Sequence, residues 1–513
     1  MTGKSGLPDH IVKARWLVRN HQDPVLHDHG IAVIGGKILA IAPLKALRMK
    51  YPTVKVVGGD RFAVMPGFVN AHHHSFGVSS ILRGVPDQVL EPWIVEMSGA
   101  PSLPKGLAAQ LAAAALLRSG VTTTVDMCGG VGTIDEFADG VRETAQGYRD
   151  SGIKTILAPG MRAQNLLSQA DGEDTQFITL LPSELQALAN GMICRERPAV
   201  REYIACMGEF VSHFNDHKST EVWFGPPGPQ WCGMDAFAEI FEAAEAQDTC
   251  IQTHVLESFS ERLESRCSLN KSRVQALADE GLLSPRMCLA HMVWASDGDI
   301  EAVAEYGVSI SHNPSSNLRL RAGIAPIREF LDSEITVGLG LDGTSLNDDD
   351  DMFLEIRLAS ALHNARVDTN SEMSHSDAYG LATRGGARMI GKRDQVGELS
   401  VGASADLILV DLERLEWPWV DPNIDPLSLI LARAKRDDIT SVMVEGQWRL
   451  WEKQLVDLDL AELGLQASEV LSASLPSSDR RSQTRKLARA VHAWHEAWGQ
   501  NDLEGRAVYN SRY

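Results

Sequence analysis

Residues 66–77 read PGFVNAHHHSFG, a short apolar run that ends in three consecutive histidines, His72, His73 and His74. The run lies well inside a chain of 513 residues, which excludes a terminal affinity tag. In a strand, side chains alternate faces, so His72 and His74 share one side and His73 points to the other, outward against a helix. Two imidazoles on one face at the end of a buried strand suit a metal. A complete site needs further ligands from elsewhere in the fold.

Seven further strand-like runs come after it: TTTVDM, KTILAPG, EVWFGPPG, CIQTHVLE, MCLAH, VSISHN and TVGLGLD. Helix-like stretches such as LAAQLAAAALLRSG and MDAFAEIFEAAEAQ lie between them. Eight strands alternating with helices predict an α/β fold, a parallel (β/α)8 barrel of the TIM type. An open doubly wound sheet would carry a glycine-rich phosphate turn after its first strand, and none is present. Barrel enzymes assemble their sites at the C-terminal ends of the strands. There the sequence places His72 and His74, then His254 with Glu257, then His291, His312 and Asp342. Three imidazoles and a carboxylate suit one borderline divalent ion, Zn²⁺ first and Fe²⁺ second, with room for a water. A single histidine at a strand end is ordinarily a hydrogen-bonded structural residue. Seven ionisable groups at the same end of five strands are a different matter.

Strand texture also flanks the barrel, in IVKARWLV, IAVIGGKILAIAP and VKVVGG before it and in VGELSVGASADLILVDL and SVMVEGQWRLWEK after it. Gly35-Gly36 and Glu445-Gly446 mark tight hairpins. The expected organisation has residues 1–65 and 395–475 as two halves of a small β-sandwich, residues 66–394 as the barrel, and 476–513 as a helical tail. In that tail Leu487, Val491, Trp494 and Trp498 fall at helical spacing, as for a helix docked on its own core or on a sister subunit. A net charge of −20 argues against a nucleic-acid partner, which needs a basic face. Seven scattered cysteines without a C-x-x-C pair fit reduced thiols in a cytoplasm. With no signal-type leader and no apolar run of about 18 residues, a soluble protein with no membrane segment is expected.

Several of these pieces together form a known pattern. With PGFVNAHHH, LRGVPDQVLEPW, THVLE, LAHMVW, SHNPSSNLRLRAGIAP, GLGLDGTSLNDDDDMF and VGELSVGASADLILVD, the chain resembles the amidohydrolase superfamily, in its cytosine deaminase-like and chlorohydrolase-like (triazine hydrolase) branch, over roughly residues 10–460. The resemblance implies a distorted barrel with a split β-sandwich. It also implies one metal ion held by His72, His74, His254 and Asp342, with Glu257 as proton shuttle and His291 as polariser of the substrate oxygen. Branches with two metals bridge them with a carboxylated lysine on strand 4, and EVWFGPPGPQWC contains no lysine, so one ion is expected.

Such a centre is suited to hydrolytic loss of an amino group from a nitrogen heterocycle (triazine, pyrimidine, purine or pterin), since an ion can lower the pKa of water from about 15.7 towards 7. Guanine is disfavoured for want of a strand-4 arginine, and AHHH with LRGVPDQVLEPW leans towards triazines. Trp93, Trp231 and Trp294 are candidate ring-stacking residues and Gln230 a candidate polar contact, with Arg83 and the NPSSN run after His312 read as structural. The run Asp348–Asp351 reads as a solvated loop with helix-capping carboxylates, lacking calcium-loop spacing. The same centre could release chloride, thiolate or an amide or urea amine instead. A non-catalytic scaffold would predict missing ligands, and none is missing. The expected partners are a small heterocyclic substrate and further copies of the chain, as a dimer or larger oligomer.

Overall fold

The eight strand-like runs become eight short parallel strands: β1 (Phe68–His73), β2 (Val121–Asp126), β3 (Lys154–Leu157), β4 (Thr220–Val222), β5 (Ile251–Val255), β6 (Met287–His291), β7 (Ser309–His312) and β8 (Val337–Leu339). Helices cover them outside, so their residues are buried almost throughout, as parallel strands covered on both faces must be. The computed structural model describes residues 7–130, 132–164, 166–169, 173–214, 219–364 and 372–498.

The barrel is distorted, with hydrogen bonds forming two four-stranded sheets, β1-β2-β3-β4 and β5-β6-β7-β8. One seam is closed by a parallel bridge between Phe224 and Ile251 just past β4. The other is closed beside the first histidine: Asp342 N donates to His72 O at 3.0 Å, and Leu341 N donates to Asn70 Oδ1 at 2.9 Å. Val69, Val125, Ile156, Cys288 and Met389 pack together across the two sheets.

Strands from both ends of the chain meet in one nine-stranded sheet. The junction is Leu407–Asp411, which runs antiparallel to Val56–Pro66 with Leu407 opposite Pro66 and Asp411 opposite Phe62. As the sequence predicts, the two flanking segments form one small β-domain, and its ladder is continuous and curls around a shared core of Val12, Ile31, Val64, Leu407 and Met443. Both predicted hairpins form, and the curl brings them together: Ala405 N donates to Gly36 O at 2.9 Å and Gly446 N to Ala405 O at 3.1 Å. At Gly36, with φ of 80°, a Cβ would stand 2.8 Å from Glu445 O, so only glycine fits.

The tail forms a helix, Ser478–Trp498, and docks on its own chain, where Leu487, Ala488 and Val491 pack with Val95, Phe177 and Leu185. The Trp498 side chain and residues 499–513 lie outside the described residues. Among the described residues no helix is long and apolar enough to cross a membrane.

Sheet and barrel are joined by a buried ion pair. Lys154 on β3 meets Asp406, which also accepts from Ser404 Oγ at 2.9 Å and Glu445 N at 2.7 Å. Removing one partner strands the other charge in the interior. Asp406→Ala is therefore expected to destabilise the fold by about 3–5 kcal/mol, read as a lower urea midpoint, and Lys154→Met with Asp406→Leu to recover most of it. An unchanged midpoint in the single variant would contradict this.

Candidate metal centre and active site

β1, β5, β6 and the turn after β8 deliver their histidines and aspartate to one point at the barrel mouth. The nitrogens of His72, His254 and His291 lie within 4.8 Å of one another, as do the ligand atoms of His72, His74 and Asp342. His72 Nε2 stands 3.2 Å from Asp342 Oδ1, His74 Nε2 3.4 Å from the same oxygen, and His74 Nε2 3.2 Å from His254 Nε2. His73 is buried but belongs to neither group.

The outer nitrogen of each imidazole explains the convergence. Nδ1 of His74 donates to Met127 O at 2.7 Å and that of His254 to Pro227 O at 2.6 Å, carbonyls that can only accept. His72 Nδ1 faces Gln252 Oε1 at 2.9 Å, and the Gln252 amide is oriented by its own donation to Ala71 O at 2.9 Å. His291 Nδ1 meets Asn317 Oδ1 at 2.8 Å. With the protons on Nδ1, the Nε2 lone pairs point inward. His72 Nε2 is buried and makes no hydrogen bond. An orphaned acceptor among imidazoles tied in this way and a carboxylate is what a divalent ion fills.

Electrostatics agree. Burial pushes His74 and His291 down to about 4 and holds His254 well below the usual imidazole range, so all three are neutral. Burial acts to raise Asp342, but His72, His291 and His74 overcome it and hold the carboxyl well below its usual range. Glu257 behaves in the opposite way. Burial first, then the charges of Asp342, Glu261 and Glu91, drive its pKa well above the ordinary carboxyl value. Its Oε2 lies 3.6 Å from His291 Nε2, which lies 3.8 Å from Asp342 Oδ2.

The backbone is strained to achieve this. Leu256, His291 and Asp342 have φ of 53°, 76° and 57°, left-handed values that side chains of this size avoid, at about 1–3 kcal/mol each. Glu261 holds the first of these turns, accepting from the amides of Leu256 at 2.8 Å and Glu257 at 3.0 Å. Gly340 leaves the room that His72 needs, because a Cβ there would lie 2.2 Å from Asn313 Oδ1 and 3.0 Å from His72 Cβ.

These groups end a cavity of about 460 Å³, also lined by Phe76, Trp93, Ile94, Met97 and Trp231. Of the candidate substrate contacts, Trp93 and Trp231 line it, whereas Trp294 and Gln230 do not. Trp294 is held by its donation to Ala322 O at 2.8 Å and by packing on Phe259, and Gln230 is buried, its backbone carbonyl accepting from Gln164 Nε2. Arg83, read as structural, lines the cavity. Asp348 is exposed and pairs with Arg319, and Asp351 caps the helix Met352–His363 as expected, although its side chain is buried. The sequence reading misses Gln252, although it lies two residues before His254 on one face of β5. Asn317 is missed too, one helical turn beyond Asn313 in the NPSSN run.

Comparison with known proteins identifies the family. A model of the amidohydrolase family matches residues 63–449. The 5′-deoxyadenosine deaminase of Methanosarcina mazei is 28% identical over 484 residues, covering 92% of this chain and 100% of that one. The crystal structure of an adenosine deaminase from Xanthomonas campestris with bound zinc superposes with a TM-score of 0.77 at 27% identity, over 91% of this chain and 98% of that one. The zinc complex of an atrazine chlorohydrolase from Arthrobacter aurescens gives 0.74 at 22% identity, over 90% and 99%, a likeness of fold alone. With histidines, aspartate and barrel in place and a family match over most of its length, the chain belongs to the amidohydrolase family.

Proposed function

We propose that the protein is a metal-dependent aminohydrolase that replaces the amino group of a nitrogen heterocycle by oxygen, with an adenine nucleoside as the best-supported substrate. The observation that carries this reading is the placement of Glu257, whose pKa burial drives well above the ordinary carboxyl value, 3.6 Å from His291 in a cavity that imidazoles and Asp342 also line. The deaminase names of the 28%-identical relative and the 27%-identical solved structure support adenine over triazine, the side towards which the sequence leans.

His72, His74, His254 and Asp342 would hold one divalent ion, and the zinc in the similar solved structure supports zinc. Such an ion supplies Lewis acidity, which brings the pKa of water at the site from about 15.7 towards 7. Asp342 accepts a proton from the attacking water. Glu257 gives its proton to the ring nitrogen beside the reacting carbon as the C–O bond forms. A proton passed through the same carboxyl then lets the amine depart, so that water is consumed, ammonia leaves and a ring carbonyl remains. The sequence casts His291 as a donor to the substrate oxygen. With its Nδ1 proton engaged by Asn317, its Nε2 is an acceptor, and it helps Asp342 orient the water.

Two coarser expectations belong to the same reading. A cytoplasmic location is supported by seven cysteines that are all free. A homo-oligomer is supported by Trp417 and Trp419, each 72% exposed on one loop.

Ammonia release from adenosine and 5′-deoxyadenosine by zinc-loaded protein tests the reading, and chloride release from atrazine without ammonia from any aminoheterocycle would overturn it. Glu257→Gln is expected to keep its zinc, measured by mass spectrometry, and to lose about 10²–10⁴-fold in kcat. Full turnover in that variant would contradict the shuttle role. His254→Ala is expected to bind zinc at least about tenfold more weakly in a chelator competition, and unchanged affinity would remove His254 from the ligand set.

A further inference from the structure

The tail helix Ser478–Trp498 and the buried carboxylate of Glu91 have no part in the deamination chemistry, and they meet on one helix, Leu90–Gly99. Leu90, Trp93, Ile94 and Met97, three and four residues apart, form the face of this helix that lines the cavity. The opposite face lies on the tail. Val95 packs with Leu487, Ala488 and Val491, and Glu96 pairs with Arg485 at 3.8 Å. At Gly99 a Cβ would stand 2.9 Å from Thr484 Cγ2, so the two helices approach closely there. One wall of the cavity is thus a single helix, backed from behind by the tail.

Glu91 falls on the flank between these two faces and does not line the cavity. Its Oε1 accepts from Gln169 Nε2 at 3.1 Å and from Ser258 Oγ, the hydroxyl that follows Glu257 in the chain. Both donors are neutral, and among the described residues no arginine or lysine pairs with Glu91. A buried carboxylate held in this way lowers stability, so its presence calls for another reason. On the tail, burial lowers the pKa of His495 and Glu91 opposes it, so the carboxylate acts on that helix as well.

The reason lies at the Glu257 turn. Leu256 is held at φ of 53°, and backbone strained in this way persists only where its surroundings over-determine it. One restraint is Glu261, which accepts from the amides of Leu256 and Glu257. Ser258 supplies the other. Its Oγ caps the helix Phe259–Leu269 by accepting from Glu261 N at 3.1 Å, which leaves its one proton for Glu91. The turn is therefore pinned on both sides of the shuttle, by Glu261 at Leu256 and Glu257 and by Glu91 at Ser258.

We propose that Glu91 is a positioning residue for the proton shuttle: through Ser258 it fixes the turn that aims Glu257 into the cavity, and the tail helix holds Glu91 in place from behind. The proposal rests on the reading of Glu257 as the shuttle of an aminohydrolase.

The test uses the full-length, zinc-loaded chain and two readouts. The first is steady-state ammonia release from adenosine. Glu91→Ala is expected to lower kcat about tenfold or more with KM within about threefold, and Glu91→Gln, whose amide oxygen still accepts from Ser258, to recover most of the loss. Ser258→Ala is expected to match Glu91→Ala, and the double variant to be no worse than either single one. The second readout is amide hydrogen exchange without substrate. In Glu91→Ala, and in a tail variant with Leu487→Ala and Val491→Ala, the peptide spanning residues 254–261 is expected to exchange about tenfold faster, while residues 121–126 of β2 stay protected. Unchanged kcat and exchange in Glu91→Ala, additive losses in the double variant, or Glu91→Gln no better than Glu91→Ala would overturn the proposal. A raised KM at unchanged kcat would make Glu91 a substrate contact and overturn it too. Normal exchange in the tail variant would remove the tail from the account. If the parent enzyme released no ammonia from any aminoheterocycle, the deaminase reading would fall, while faster exchange at the turn would leave the pinning by Glu91 standing.

Discussion

Four imidazoles cannot be packed into one barrel mouth by apolar burial alone, because each carries two polar nitrogens that must be accounted for. Here the protein commits the outer nitrogen of each ring to a fixed oxygen: Met127 O, Pro227 O, Gln252 Oε1 and Asn317 Oδ1. That commitment sets the tautomer and aims the inner lone pairs of His72, His74, His254 and His291 at a common volume beside Asp342. Neighbouring residues are shaped by the same demand. Gly340 has no side chain because His72 and Asn313 occupy the space, and Gln252 spends its amide protons on Ala71 O to keep its oxygen turned towards His72.

Two carboxylic acids in the same pocket are driven apart in proton affinity by their neighbours. Asp342 sits among imidazoles that favour its ionised form, whereas burial and the neighbouring carboxylates Asp342, Glu261 and Glu91 push Glu257 towards its protonated form. An acceptor and a donor of protons thus coexist within one cluster, a division of labour that burial alone would not create. The strained turns at Leu256, His291 and Asp342 place these groups at strand ends where relaxed backbone would aim them elsewhere, and the Glu261 carboxylate holds the first of them.

Period-two alternation and turn chemistry make a large part of this legible in the sequence. The eight strand runs, the Gly35-Gly36 and Glu445-Gly446 hairpins and the histidine-bearing strand ends are local features, written in consecutive residues. Alternation says which face of a strand is apolar. It does not say how the flanking strands pair, so the parallel pairing of His10–Leu17 with Val56–Pro66 and the antiparallel pairing of Val56–Pro66 with Leu407–Asp411 are visible only in the fold. Tryptophans are harder for the same reason. Trp93, Trp231 and Trp294 are equivalent as letters, yet one lines the cavity beside Phe76, one carries Arg162 on its face, and one is spent on Ala322 and Phe259. Such contacts join residues far apart in the chain and leave no periodic trace.

The central claim is that one ion is gripped by inward-facing Nε2 atoms whose outer nitrogens are tied down. Anomalous diffraction at the zinc edge, from crystals of the metal-loaded protein, tests it most directly. The account predicts a single peak about 2.0–2.1 Å from Nε2 of His72, His74 and His254. Two peaks at the barrel mouth, or one peak held by other residues, would contradict it.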